Sequence, residues 1–256
     1  MNADPASDRP RVGFGGPHRH FRRTDSTNAR AKDLALAGAP GGLVVTAGEQ
    51  TAGHGRRGND WFAPPRSSLL YSALLRPLAA DHAPLLPLAV GVAVCEAAEA
   101  VAPVRCQLKW PNDVWVDERK VAGVLVEARP EENWAVIGVG INIAIPPDEF
   151  PPDLRETASS LLPMEAEGGV PPGGAPGVRR ALTELNESLG RWVAAGDDEL
   201  LSAYRARDAL SGRRISWDGG EGTAEAIDER GHLVVNLDGG ERVTLGAGEV
   251  HLALGD

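Results

Sequence analysis

The chain is poor in the residues that announce many chemistries. It has two cysteines in 256 residues, and Cys95 and Cys106 are too few for a disulfide framework. Neither has the spacing partners of a zinc or redox site. The six histidines are scattered, and no Ser/His/Asp or Cys/His set stands out, so hydrolytic nucleophilic catalysis has no support. Positive charge is also short. The chain carries 26 Lys and Arg against 36 Asp and Glu, a net charge near -10, which argues against nucleic-acid binding as the main business. The opening residues lack the charged-then-apolar order of an export signal. The longest apolar stretch, residues 83–101, is interrupted by Pro87, Glu96 and Glu99 and reads as a buried helix rather than a membrane span. A soluble, cytoplasmic protein is expected. Internal repeats are absent, as are a Walker loop and a strand-to-helix GxGxxG fingerprint.

What is present has globular proportions, with 42% hydrophobic and 24% charged residues. Glycine (31) and proline (20) are abundant, so short elements and many turns are expected. Residues 1–22 read as a flexible segment. A helix capped within Asp25-Ser26-Thr27-Asn28 closes at Gly38. Strands follow at 42–47 and 68–76, then the apolar helix at about 84–101. Further strands are expected at 104–110, 114–116, 120–128 and 133–143. Residues 145–178 read as a long loop, with a short helical piece at 156–162 and a surface excursion at 165–177. Helices at about 178–194 and 198–208 come next. From Gly212 onward, five short strands divided by Asp-Gly, Arg-Gly and Gly-Gly turns suggest a small all-β unit. The expected architecture is an α+β domain with a substantial sheet (23–209), followed by a small barrel-like domain (210–256).

Two segments carry chemistry. Gly53-His54-Gly55-Arg56-Arg57-Gly58 lies between two strands. Its glycines allow close backbone approach to an anion, and its arginines can clamp phosphate or carboxylate oxygens. A solvated loop is the alternative. Trp61 follows, placed either to cover a flat ligand or to fill the core. Lys109-Trp110-Pro111-Asn112-Asp113 then sets a lysine, an amide and a carboxylate around a strand end. Lys120 opens the next strand, where it can offset charge developing on a phosphoryl oxygen. Asp113 can hold Mg²⁺ or steer an arginine; a plain surface Lys/Asp pair is the alternative. Gly123 suggests close packing on its strand. Asn142, a polar side chain in an apolar strand, is either a structural hydrogen-bonder or a ligand contact. The residues alone point to an ATP- or anion-using transferase or ligase.

In their order, Asp25-Ser26-Thr27-Asn28, residues 49–61, Lys109-Trp110-Pro111-Asn112-Asp113, residues 120–127 and Gly138-Val139-Gly140-Ile141-Asn142 resemble biotin protein ligases. The likeness is to the monofunctional type that biotinylates acetyl-CoA carboxylase and related enzymes, and it spans about residues 23–256. The resemblance implies a biotin/lipoate ligase-like catalytic fold with a C-terminal SH3-like β-barrel. It also implies a two-step reaction in which biotin and ATP give biotinyl-5'-adenylate and a carrier lysine then displaces AMP. Ser26, Thr27 and Gln50 would bond the ureido ring and neighbouring polar atoms, with Asn28 beside them. Gly53 and Gly123 would line the thiophane and valeryl pocket. Arg56 would help retain the adenylate in a loop with His54, Gly55 and Arg57, and Trp61 would stack on adenine. Lys120 would contact the biotin carboxylate and then the phosphoryl oxygens. Lys109 would supply charge, Asn112 and Asp113 would support the nucleotide and Mg²⁺, and Asn142 would touch the adenosine region.

Two departures accompany the likeness. His54 stands where the family loop commonly has arginine, and Asn59 replaces an often basic residue; weaker loop ordering is expected, not lost chemistry. Bifunctional members carry an N-terminal DNA-binding domain, and only about 22 unpatterned residues precede Thr24 here, so no DNA partner and no membrane partner are expected. The implied partner is a biotin carboxyl carrier domain, and a homodimer through a sheet edge is compatible with the family. A lipoate or octanoate ligase or transferase sharing the catalytic fold, and a non-catalytic biotin- or nucleotide-binding module, are the competing readings.

Overall fold

The computed structural model describes residues 12–162 and 174–252. In chain order its elements are β1 (His18–Phe21), α1 (Thr27–Leu36), β2 (Val44–Ala47), β3 (Ser68–Leu75), α2 (Leu86–Val101), β4 (Gln107–Lys109), β5 (Asp113–Val116), β6 (Arg119–Arg129) and β7 (Trp134–Asn142). They continue with α3 (Gly174–Val193), α4 (Asp197–Arg205), β8 (Arg214–Trp217), β9 (Gly220–Ile227), β10 (Leu233–Asn236), β11 (Arg242–Leu245) and β12 (His251–Leu252). Seven strands form a sheet in the order β1-β2-β3-β7-β6-β5-β4. Only β1 and β2 run parallel, and every other neighbouring pair is antiparallel. This is a mixed sheet packed by helices.

The two faces of that sheet are covered unequally. Side chains alternate along a strand, so Tyr71, Ala73 and Leu75 of β3 and Ile137, Val139 and Ile141 of β7 share one face. They join the main apolar core with α2 and α3. Helix α2 is apolar nearly all round, as a helix enclosed on every side must be. No helix among the described residues is long and apolar enough to cross a membrane. The other face is only half covered. Helix α1 lays Ala31 and Ala35 on Val45, Leu74, Trp134 and Val136. Its first turn is capped by Ser26, whose hydroxyl accepts from the Ala29 amide. At its far end the Arg76 guanidinium donates to the carbonyls of Ala35 and Ala39. The part of the face that α1 leaves uncovered becomes the pocket described below.

The C-terminal strands correct the expected SH3-like barrel. They form an open five-stranded sheet in the order β11-β10-β9-β8-β12, with β11 and β12 as separate edges. β12 is two residues long and pairs only with β8. The apolar face is buried against the first part of the chain instead of against itself: Ile215, Ala224, Ile227, Leu233 and Val235 belong to the main core. Trp110 Nε1 donates to the Gly231 carbonyl at 3.0 Å, and Arg205 donates to that of Ile227 at 2.8 Å. A sheet whose inner face is already covered has no need to close.

Local differences have similar causes. His18–Phe21 is a strand that the polar text HRHF does not announce; it pairs along one edge of β2 while its side chains stay largely exposed. The helical piece expected at 156–162 is a run of turns ending in a bridge between Ala158 and Lys120. The strand expected at 104–110 shrinks to Gln107–Lys109. Of the excursion expected at 165–177, residues 165–173 lie outside the described residues, and helix α3 already begins at Gly174.

Candidate functional site

Strand register lays out the pocket floor. Leu70 of β3 pairs with Gly140 of β7, which pairs with Gly123 of β6. Ser72 pairs with Gly138, which pairs with Leu125. Three glycines on two adjacent strands leave the sheet bare where a side chain would stand. The space is used. A Cβ on Gly138 would collide with the Asn28 amide, and one on Gly140 would collide with the Trp61 indole. Above Gly123 lie the Trp61 ring and the Lys120 side chain. The cavity over this floor has a volume of about 910 Å³ including its open mouth.

One end is built from buried, neutral groups. Ser26, Thr27 and Asn28, at the start of α1, are each about 5% exposed. Gln50 Oε1 accepts from the Thr27 amide at 2.7 Å and from its hydroxyl at 2.9 Å. Ser72 Oγ lies 2.8 Å from Thr27 Oγ1 and donates to Asn28 Oδ1 at 2.6 Å. Asn28 Nδ2 donates to Glu127 Oε2 at 2.9 Å, and Lys32 Nζ reaches Glu127 Oε1 at 2.8 Å. Burial pushes the Glu127 carboxyl up, but hydrogen bonds from Lys32 and Asn28 outweigh it and hold the group below the usual range.

The other end is cationic. In the loop, Gly55 N–H donates to the Asn59 carbonyl at 2.7 Å and Trp61 N–H to that of Gly53 at 2.9 Å. Arg57 sits at φ 57° inside the turn Arg56–Gly58. Arg56 donates to Asn112 Oδ1 at 3.3 Å, while Asn112 Nδ2 donates to the Val124 carbonyl at 2.9 Å. Arg57 approaches Asp218, in the turn between β8 and β9, at 3.7 Å, both side chains well exposed. Lys120 Nζ pairs with Asp113 at 2.7 Å and lies 5.7 Å from the Trp61 ring centroid. Lys109 Nζ stands 5.2 Å from the Trp115 ring. Burial lowers the pKa of Lys109; Asp113 and Glu249 oppose that shift and Lys120 adds to it. Arg56 is shifted the same way, first by burial and then by Arg57. Four cations, Arg56, Arg57, Lys109 and Lys120, meet three carboxylates of the lining, Asp60, Asp113 and Glu249, and an anionic ligand would relieve the remaining positive charge.

Residues 20–143 match the Biotin/lipoate A/B protein ligase family, and residues 218–252 match the Biotin protein ligase C terminal domain. The chain is 37% identical over 243 residues to the biotin--[acetyl-CoA-carboxylase] ligase of Mycobacterium tuberculosis, covering 89% of this chain and 86% of that one. It belongs to the biotin protein ligase family. The protein of the same name from Paracoccus denitrificans is 34% identical over 235 residues, with 86% of this chain and 95% of that one covered. The structure of biotin protein ligase from Aquifex aeolicus in complex with biotin and ATP shares the fold, with a TM-score of 0.76 over 93% of this chain and 100% of that one at 24% identity.

Within this family member, Ser26, Thr27, Asn28, Gln50, His54, Gly55, Arg56, Arg57, Trp61, Lys109, Asn112, Asp113, Lys120 and Gly123 all line the one pocket. Gly53 and Asn142 do not. Gly53 lies behind the lining, where a Cβ would press on the Gln50 amide. Asn142 is buried; its Nδ2 donates to the Ser159 carbonyl at 3.0 Å, and its Oδ1 has no partner among the described residues. Sequence reasoning did not single out Glu249, which enters from the loop before β12 to line the cationic end. Ser72 and Glu127 were also missed. Both sit in apolar strands, and a polar residue on the pocket-facing period of such a strand was the signal available.

Proposed function

We propose that the chain is an ATP-dependent ligase that activates biotin as biotinyl-5'-AMP and transfers it to a lysine of a biotin carboxyl carrier domain. The observation that carries this reading is the two-ended pocket. A neutral hydrogen-bonding end and a cationic end share one glycine floor, and biotin adenylate likewise joins an uncharged bicyclic urea to a phosphoryl group through an apolar chain. Ser26, Thr27, Asn28 and Gln50 take the urea, while Gly123 lines the chain.

In the first step a biotin carboxylate oxygen attacks the α-phosphorus of ATP. A carbonyl–O–P bond forms, the bond to the β-phosphoryl oxygen breaks, and pyrophosphate leaves. Two anions must approach, so Lys120, Arg56 and Lys109 lower the barrier by offsetting their charge. Lys120 is placed for both partners because its Asp113 contact fixes it over the floor. Asn112 holds Arg56 toward the same space, and His54, Gly55 and Arg57 complete the loop that retains the adenylate. Trp61 offers a flat surface for adenine. In the second step the carrier lysine, as free amine, attacks the acyl carbon. The C–O bond to phosphate breaks, AMP leaves, and the amine proton passes to solvent.

Among the described residues no group of three or more His, Cys, Asp or Glu could hold a metal ion. That suits Mg²⁺, which favours one carboxylate with phosphate oxygens and water over a protein cage; Asp113 is the carboxylate at hand. When bound there, Mg²⁺ would neutralise phosphate charge. The carrier partner and a cytoplasmic site of action complete the proposal. The test offers Mg-ATP and an apo carrier domain with biotin or lipoate in parallel and reads acceptor mass together with AMP. A biotin-dependent gain of one biotinyl group per AMP is expected. A gain with lipoate alone, or with neither acid, contradicts the reading.

A further inference from the structure

The hydrogen bonds at the neutral end can be counted proton by proton. Three oxygen–oxygen contacts run in series, from Asn28 Oδ1 to Ser72 Oγ (2.6 Å), from Ser72 Oγ to Thr27 Oγ1 (2.8 Å) and from Thr27 Oγ1 to Gln50 Oε1 (2.9 Å). The two hydroxyls supply two protons for these three contacts. Gln50 cannot provide the third, because its oxygen must face Thr27 to accept the backbone N–H at 2.7 Å. Asn28 is able to provide it only by turning its amide over, so that Nδ2 faces Ser72. All three contacts would then be satisfied.

Glu127 forbids that turn. Its carboxylate can only accept, and it faces Asn28 Nδ2 at 2.9 Å. A flipped amide would set oxygen against carboxylate. Nor can Asn28 swing aside, since it is packed against Gly138 with no room for a Cβ between them. The Ser72 proton is thereby committed to Asn28, and the single Thr27 proton must choose between Ser72 and Gln50. The pocket end is left one donor short.

We infer that Glu127 is a positioning residue that, acting through Asn28 and Ser72, keeps Thr27 and Gln50 acceptor-rich and so selects a head group presenting N–H donors, such as a cyclic urea. The inference rests on the biotin reading above and adds to it the residue that sets hydrogen-bond polarity. Its chemistry is general: a fixed charge at one end of a hydroxyl chain orients every proton along it. A ligand N–H supplies the missing donor, whereas a ligand acceptor in the same place would meet oxygen.

The test titrates biotin, without nucleotide, into the full chain and three variants by calorimetry. In Glu127→Gln the new amide can present its NH₂ group to Asn28, the flip is allowed, and biotin affinity should fall about tenfold, the worth of one hydrogen bond. Ser72→Ala removes the competing acceptor and should cost a similar factor. Combining the two should add little, because both act on the same proton. Lys32→Gln removes the ion pair but keeps the carboxylate, so it should retain affinity even where it lowers the melting temperature. In steady state Glu127→Gln should raise the KM for biotin and leave that for ATP in place. Equal affinity of Glu127→Gln and wild type, or an equal loss in Lys32→Gln, overturns the inference. Should Glu127→Gln not fold, unchanged affinity in Ser72→Ala overturns it instead. Failure of the wild type to bind biotin would overturn the functional reading first, a result distinct from both.

Discussion

The two ends of the pocket are built by opposite rules. At the neutral end, α1 and the sheet hold Thr27, Asn28 and Ser72 almost fully buried, joined by contacts of 2.6–2.9 Å and anchored on Glu127. At the cationic end, Arg56 and Arg57 ride a loop, and Arg56 reaches only an amide oxygen at 3.3 Å. The first end is finished before a ligand arrives, and what it lacks is one proton. The second carries a surplus of positive charge. A rigid neutral site suits discrimination by hydrogen-bond pattern, because a mismatched ligand strands buried polar atoms. Cations on a loop suit closure over a bound anion, while Lys120, held by Asp113 at 2.7 Å, is set in advance for charge that develops in the reaction.

The largest effect expected from breaking this comparison is at Lys120. Lys120→Ala should slow biotin-dependent pyrophosphate release by about 10² to 10³, read in a single-turnover assay with the carrier domain omitted. Unchanged release would remove Lys120 from the first step. Next comes Gly138→Ala, which acts on the neutral end alone. The added methyl has no space beside Asn28 and should cost about 1–3 kcal/mol of stability together with most of the biotin affinity. Thermal melting and a biotin titration check the two parts separately.

A smaller effect concerns pH at the cationic end. Burial lowers the Lys109 pKa, so its charge is lost at a lower pH than that of an ordinary lysine. The ATP-dependent step should therefore decline on the alkaline side earlier than a free lysine would dictate. Lys109→Arg keeps the charge and should move that limb to higher pH; an unmoved limb would assign it elsewhere. The smallest effect is at His54, exposed in the loop with its ring Nδ1 at 3.3 Å from the Ala52 carbonyl. His54→Arg should lengthen the lifetime of bound adenylate about twofold, as befits an exposed charge, measured by filter retention of labelled adenylate.

Much of this arrangement was legible in the chain because it is local. The Ser26 cap, the Gly/Arg loop and the Lys109–Asp113 turn each announce themselves within a few residues, and the structure gathers them around one floor. What was not legible depends on register and packing. Nothing near Glu127 says that Asn28 lies across the sheet from it; that follows from β6 pairing with β7 and from α1 settling over Gly138. Glu249 reaches the cationic end only because the second sheet docks beside it. The expected barrel failed for the same reason. Five short strands are compatible with a closed or an open sheet, and closure is decided by what covers the inner face. Asn142 shows the converse case: a polar residue that sequence pattern singles out, here buried outside the pocket lining with one oxygen unpartnered among the described residues.

The division of labour between the two ends is tested most directly by biotin affinity measured without nucleotide. Calorimetric titration would compare wild type, Thr27→Val at the neutral end and the double variant Arg56→Ala/Lys109→Met at the cationic end. Thr27→Val should weaken biotin binding by about tenfold or more, while the double variant should stay within about threefold of wild type and lose adenylate formation instead. The reverse order, or equal losses in both, would contradict a pocket whose neutral end alone holds the head group.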